Sequence, residues 1–293
     1  MLNVYDAMLS DPGYFKRLCV KDALLLNYQC PQMEKWVDLY THYNHIIYTV
    51  EGKKIVSRPG VSLELKEGSL IFLKKGAFNQ GRFHDVEWKV IVFCISDSYL
   101  QRFFKEYRPQ LPLQRLPPPS TESLIELQSD SLIQGYFYGL LPYFTLQPPP
   151  PENLLELKFR ELILTILSNP GNAGLFSYLN GMIDDVKPPL PDIMEANFSY
   201  NLSLEEFARI SQRSLTIFKK EFSRLFHTTP GKWLVKKRLD YASSLLVSSE
   251  KNVNEIAYDC GFESATHFSR VFKEQFGVSP LQYRKLDTAN LPG

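Results

Sequence analysis

Ten polar side chains in the last third of the chain carry the clearest chemistry that the sequence offers. They form two groups about fifty residues apart, each within a stretch of helical spacing. The groups are Ser214, Thr216, Lys219, Lys220 and Ser223, and Glu263, Ser264, Thr266, His267 and Arg270. Hydroxyl, amine, imidazole and guanidinium groups of this kind contact the base edges and phosphates of DNA. The solvated face of an ordinary helix has the same composition, so composition alone leaves both interpretations open.

Metal binding is a second candidate chemistry, in the first third of the chain. A cupin-type metal site needs two histidines two residues apart on one strand face, a glutamate and a third histidine. The candidates here are His42, His45, His84 and Glu51. His42 and His45 are three residues apart, so on a strand they would point to opposite faces. No metal site, cofactor or catalytic residue is therefore expected, although a cupin-type metal-dependent enzyme with a DNA-binding tail remains the alternative.

A repeat underlies the two polar groups. Aromatic residues and prolines recur at an offset of 50, pairing Phe218, Phe222, Phe226, Pro230 and Trp233 with Phe268, Phe272, Phe276, Pro280 and Tyr283. The phenylalanines are spaced by four residues, which places them on one face of a helix in each copy. Five matches at one offset predict two copies of one helical unit.

Each copy has the pattern of a helix-turn-helix unit. Short amphipathic helices are predicted over 204–210 and 253–259, and each contains an alanine, Ala208 or Ala257, where two helices approach closely. A short turn follows, and Ser214 and Ser264 then stand at N-cap positions for the second helices. A helix, a tight turn and a capped helix make this motif.

The first third of the chain has the pattern of a small β-barrel or jelly roll. Short apolar segments are predicted as strands: His45–Val50, Ser62–Leu65, Ser69–Leu73 and Trp88–Ile95. Turn signals separate them at Glu51-Gly52, Pro59-Gly60 and Glu67-Gly68. The alternation of apolar and polar residues on either side of Gly68 predicts an antiparallel hairpin there. Tyr48, Phe72, Phe83 and Trp88 are candidates to line a pocket, although aromatic residues on strands more often form core.

Proline clusters divide the rest of the chain. The segment 120–147, between two such clusters, is predicted to be partly helical. The stretch Leu154–Leu167 is apolar almost all round, so a helix there is buried in its own domain or against a partner. The run from Lys187 to Pro191 precedes the helical C-terminal region. These breaks predict two domains, 1–185 and 186–293.

The C-terminal region resembles a known family. The stretch NVNEIAYDCGFESATHFSRVFKEQFGVSPLQYRK is similar to the signature of AraC/XylS-type transcriptional regulators. Matching positions include Ile256, Ala257, Gly261, Phe262, Phe268, Arg270, Phe272, Phe276, Gly277, Pro280 and Arg284, with Leu204, Ala208, Phe222, Pro230, Arg238, Leu239 and Ala242 in the first copy and the connecting helix. The resemblance implies two helix-turn-helix subdomains joined by a long helix over about 231–248, with recognition helices in adjacent major grooves. His227 departs from the family, which usually has glycine there.

The family resemblance also implies a role for the N-terminal domain. Such domains commonly have a cupin-like β-barrel that senses a signal, and often dimerise through the helices that follow it. Helices around 97–108 and 154–168 are then candidates for a homodimer interface. The fold class expected is α+β, with a cupin-like barrel and following helices joined to an all-α domain.

The function that follows is sequence-specific DNA binding in transcription regulation, without catalysis. The expected partners are double-stranded promoter DNA, RNA polymerase, and a small ligand or regulatory protein that binds the N-terminal domain. The net charge is +1, and the four cysteines form no CxxC pair. The chain has no signal-peptide pattern and no apolar run long enough for a membrane helix, so a soluble cytoplasmic protein without membrane contact is expected.

Overall fold

The computed structural model describes residues 1–11, 14–84, 86–111, 123–182 and 188–288, with side chains up to Lys285. Its contacts divide the chain into two compact units, Leu2–Val186 and Lys187–Gly293.

A curled β-sheet forms the centre of the N-terminal unit. Within the described residues its strands are β1 (Leu2–Asn3), β2 (Lys16–Val20), β3 (Ala23–Gln29), β4 (Trp36–Thr41), β5 (Asn44–Arg58), β6 (Val61–Lys66), β7 (Leu70–Leu73), β8 (Gly76–Arg82), β9 (Trp88–Ile95) and β10 (Leu124–Leu127). The strand order is β1-β4-β8-β5-β9-β3-β2, with β6 beside β5 and β7 between β5 and β10.

The long strand β5 makes the sheet curl, because its two halves have different neighbours. The first half pairs with β9 on one edge and with β7 on the other. The second half pairs with β6 and with β8. The register shifts between Thr49 and Glu51, which marks a β-bulge, and a bulge bends the strand that carries it.

The turn predicted at Glu51-Gly52 is therefore wrong. Gly52 has φ +84°, and a Cβ there would overlap the carbonyl oxygen of Glu87 on the neighbouring chain segment. Glycine is favoured at both bulges and turns, since both can require a positive φ, so the sequence alone does not distinguish them. The turns at Pro59-Gly60 and Glu67-Gly68 are confirmed.

The hairpin predicted around Gly68 is also wrong, although both of its strands exist. β6 and β7 each pair with β5 and not with one another. β7 pairs with the first half of the bent β5, and β6 pairs with its second half. β10, which the sequence analysis missed, covers the other edge of β7.

Both faces of the central strands are buried. Along β9, Val90 and Val92 face the core inside the curl, while Ile91 and Phe93 face a second core on its outer side. Alternate strand residues point to opposite faces, so one strand contributes to two cores. Tyr48, Phe72 and Trp88 are buried core residues, and the Tyr48 ring stacks on Phe137 with centroids 4.1 Å apart.

Helices cover the outer face of the sheet. The helices of this unit are α1 (Val4–Ser10), α2 (Asp97–Tyr107), α3 (Ser131–Leu140), α4 (Glu152–Ser168) and α5 (Ala173–Asn180). α4 confirms the helix predicted at Leu154–Leu167, and its buried side, which includes Phe159 and Ile163, packs into the outer core. Leu157 on its other side is 64% exposed. None of the helices in the described ranges has the length and apolar character needed to cross a bilayer.

The C-terminal unit is entirely helical within the described residues. It contains α6 (Leu190–Asn197), α7 (Leu204–Ile210), α8 (Leu215–Phe226), α9 (Pro230–Ser248), α10 (Val253–Asp259), α11 (Ala265–Phe276) and α12 (Pro280–Thr288). The fold class is therefore α+β, as predicted, with a curled sheet followed by a helix-turn-helix region.

Candidate nucleic-acid interface

The first helix of each repeat begins with the same double cap. The Ser203 hydroxyl accepts a hydrogen bond from the backbone N–H of Glu206, whose carboxylate accepts one from the N–H of Ser203. Asn252 and Glu255 make the equivalent pair of bonds in the second repeat. This capping box satisfies two N–H groups that a helix start would otherwise leave unpaired, so it fixes where α7 and α10 begin.

The turns between the paired helices differ by one residue. The N–H of Arg213 donates to the carbonyl of Ala208 at 2.9 Å, and the N–H of Phe262 donates to that of Ala257 at 3.0 Å. These bonds align Arg213 with Phe262, an offset of 49 residues. The second helices keep the offset of 50, so Glu263 is an additional residue without a counterpart in the first copy.

The second helices start and end in matching ways. The hydroxyls of Ser214 and Ser264 accept hydrogen bonds from the N–H groups of Ile217 and His267, which confirms both predicted N-caps. The C-cap residue after α8 is His227 with φ 53°, and the C-cap residue after α11 is Gly277 with φ 79°. Glycine adopts this left-handed conformation without a Cβ clash, whereas histidine does not, so the departure at His227 carries backbone strain.

Phenylalanines hold the second helices in place. Phe218 and Phe222 on α8 are fully buried, as are Phe268 and Phe272 on α11. Large apolar side chains spaced by four residues fix one face of each helix inward. The opposite face therefore points to solvent.

The structure exposes every candidate residue on the two second helices. On α8, Thr216, Lys220 and Ser223 lie opposite the buried phenylalanines, and Lys219 lies nearer the edge of the buried face. On α11, Thr266, His267 and Arg270 are exposed in the same way. These side chains thus form one polar surface on each helix.

Glu263 does not lie on a helix, contrary to the sequence analysis. It precedes the N-cap Ser264 in the longer turn, and its carboxylate accepts a hydrogen bond from the Asn201 side chain at 3.0 Å. Because the second turn has one more residue than the first, Glu263 lies before α11. The offset of 50, which aligns only the second helices, did not reveal this extra residue.

Arg270 is paired within its own helix. Its guanidinium lies 2.8 Å from the Glu274 carboxylate one turn later, and both side chains are more than half exposed. An exposed pair of this kind is weak, so Arg270 can exchange it for another anion.

Four further residues share the exposed surfaces and were left out by the sequence analysis. They are Ile217 and Arg224 on α8 and Lys273 and Glu274 on α11. Helical spacing from the buried phenylalanines could have found them, since each lies more than 90° from the middle of the buried face at about 100° per residue.

Arg238 on the connecting helix α9 holds the segment before α7 against that helix. Its guanidinium donates to the carbonyls of Phe198 and Tyr200 at 2.7 Å each. Burial lowers the pKa of Arg238 to about 10, so it remains protonated at neutral pH. The segment that it holds also contacts the second turn, where a Cβ on Gly261 would lie 2.8 Å from the Ser199 carbonyl oxygen. The sequence before the first repeat is therefore packed against the second.

The histidines considered as metal ligands have other partners. His45 is buried, its Nε2 lies 3.0 Å from the Thr41 hydroxyl, and burial lowers its pKa to about 3. The Nδ1 of His42 lies 3.2 Å from the Asn3 amide, and Glu51 pairs with Lys89 at 2.6 Å. Across the described ranges, no three His, Cys, Asp or Glu side chains are grouped as metal ligands.

Both units of the chain have matches among known proteins. Residues 44–178 match the ExsA N-terminal regulatory domain, and residues 206–286 match a helix-turn-helix domain. The HTH-type transcriptional regulator ExsA of Pseudomonas aeruginosa is 26% identical over 240 residues, covering 80% of this chain and 84% of that protein. The virulence regulon transcriptional activator VirF of Yersinia enterocolitica is 24% identical over 221 residues, covering 75% and 81%. A crystal structure of ToxT from Vibrio cholerae aligns over 90% of this chain and 98% of that one, with 20% identity and a TM-score of 0.40.

Two helix-turn-helix repeats behind a regulatory domain define a DNA-binding transcriptional regulator. With these matches, the chain belongs to the AraC-type transcriptional regulators.

Proposed function

We propose that α8 and α11 enter adjacent major grooves on one face of promoter DNA. The observation that carries this proposal is that one compact unit contains two copies of the same frame, each with an exposed polar helix. The N-terminal residues of a recognition helix contact base edges in this motif. Thr216, Lys220 and Ser223 would contact the first groove, and Thr266, His267 and Arg270 the second.

The remaining candidate residues take flanking roles in this proposal. Lys219 lies toward the edge of α8, where it would contact phosphate. Ser214 and Ser264 use one hydroxyl lone pair in capping and keep the hydroxyl hydrogen for a DNA oxygen. Glu263 would lie beside the second groove, because it is in the turn directly before α11.

The N-terminal residues, 1–185, would receive the regulatory signal and dimerise. The space inside the curl is filled by side chains that include Phe78 and Trp88, so a regulatory protein or small ligand would act from the outside of this unit. The exposed Leu157 on α4 supports a homodimer through that helix. The chain would act in the cytoplasm by contact with promoter DNA and RNA polymerase rather than by catalysis.

Replacing Arg270 tests the assignment of the DNA-contacting surface. Arg270→Ala is expected to weaken binding to the operator by about 1–3 kcal/mol if its guanidinium reads a guanine. Circular dichroism should stay unchanged because the side chain is exposed. Equilibrium binding to the operator at physiological salt, with the full chain, is the measurement.

Lys251→Ala is the matched control, since it removes one cation outside both second helices. It should leave operator affinity within about twofold. Equal losses in both variants would indicate only a general charge effect, and full affinity in Arg270→Ala would remove Arg270 from the surface.

A further inference from the structure

An apolar side chain interrupts the polar surface of α8. Ile217 is 41% exposed and lies about 120° from the middle of the buried face formed by Phe218 and Phe222, at about 100° per residue. Leu225, also exposed on this helix at 47%, lies only about 40° from that middle. Ile217 is therefore directed away from the core, among residues that are otherwise polar.

The location of Ile217 in the helix fits a contact with bases. It is the third residue after the N-cap, and its own N–H donates to the Ser214 hydroxyl at 3.3 Å. This bond holds the first turn of α8 in a fixed conformation. The first turn of a recognition helix is the part that contacts base edges.

We propose that Ile217 determines specificity by packing against the 5-methyl group of a thymine in the first major groove. Thymine is the only unmodified base with an apolar group there, and an isoleucine side chain cannot hydrogen-bond to the others. Packing against cytosine or guanine would cover a polar base edge without a partner. The corresponding residue of the second helix is His267, so this selection would act in one half of the operator only.

The proposal rests on the proposed insertion of α8 into the major groove, and its test removes single methyl groups. Duplexes that the full chain selects from a random-sequence pool serve as the probe. Each thymine in the half contacted by α8 is replaced, one at a time, by deoxyuridine, which differs only by the missing methyl. One replacement is expected to weaken binding about fourfold, the effect of one buried methyl group.

Ile217→Ala should abolish the effect of that replacement, because the side chain that contacts the methyl is gone. Leu225→Ala is the matched control: it shortens an equally exposed side chain on the same helix and should keep the fourfold effect. Both positions are on the surface, so both variants should fold, as circular dichroism will show.

The outcomes separate this proposal from the one on which it depends. Equal sensitivity to deoxyuridine in the wild type and in Ile217→Ala overturns the role of Ile217, as does insensitivity of the wild type at every thymine. If the full chain selects no sequence from the pool, the groove insertion itself fails, and the role of Ile217 fails with it.

Discussion

The two helix-turn-helix repeats of the C-terminal unit share their frame and differ on their outer surface. Capping boxes, N-cap serines and buried phenylalanine pairs occupy equivalent places in both. The exposed helix faces carry Lys219 and Lys220 in the first copy, but His267 and the Arg270–Glu274 pair in the second. The shared residues are therefore those that fold the unit, and under the proposed function the differing residues would recognise different bases.

The turns show a second difference between the copies. The left-handed turn residue is Gln212 in the first copy and Gly261 in the second, where the Ser199 backbone leaves no room for a side chain. The backbone of the second turn is packed against Ser199, whereas the first turn contacts the chain before α7 through the Arg213 side chain, which donates to the Pro188 carbonyl at 3.1 Å. The close backbone packing that excludes a side chain is therefore found at the turn residue of the second copy.

Changing the distance between the two proposed half-sites tests whether the repeats act as one rigid unit. Inserting about 5 bp turns one half-site to the opposite face of the duplex. If α9 holds the repeats rigidly, they cannot then reach both half-sites together. We expect affinity to fall on the order of 100-fold, because one recognition helix loses its base contacts. Gel-shift titration with fragment 186–293 measures it. Unchanged affinity would show that the repeats move independently.

Substituting the turn residues compares the two copies directly. Gly261→Ala should lower the free energy of unfolding by about 2–3 kcal/mol, because alanine is strained at this φ and its Cβ meets the Ser199 carbonyl. Gln212→Gly, in the first copy, should change it by less than about 1 kcal/mol. Denaturant melts of fragment 186–293 give both values. Equal effects in the two turns would contradict the packing difference.

The C-cap residues of the second helices also differ between the copies, and replacing His227 tests this difference. His227→Gly should stabilise fragment 186–293 by only about 0.5 kcal/mol, because relief of the left-handed strain is partly offset by a more flexible unfolded chain. DNA affinity should stay the same, since His227 lies at the far end of α8 from the proposed base contacts. A denaturant melt provides the measurement. A loss of stability would reveal a His227 side-chain contact that outweighs the strain.

The features predicted well from the sequence are local ones. Residues three or four apart in sequence set the phenylalanine face and the serine caps, so the bounds of α7 and α10 follow from the pattern. The left-handed ending at His227 also follows, from comparison with Gly277.

The features that were missed depend on distant parts of the chain. Whether Gly52 makes a turn or a bulge depends on the Glu87 backbone, and the pairing of β6 and β7 depends on the bend of β5. The displacement of Glu263 depends on a single extra residue in a turn, which a repeat found from aromatic positions does not detect. The exposed Ile217 was overlooked because an apolar residue in a helix is normally assigned to the core.

The continuous helix α9, which Arg238 fixes against the segment before α7, has a consequence for the strength of the proposed DNA binding. If both second helices bind DNA as proposed, then once one of them is bound the other is already held near its own half-site, and its binding is an intramolecular step. A rigid connection of the correct length gives such a step a high effective concentration. Two individually weak contacts then combine into strong avidity. A regulator built this way can dissociate in two small steps, and each helix can return to its groove before the other leaves.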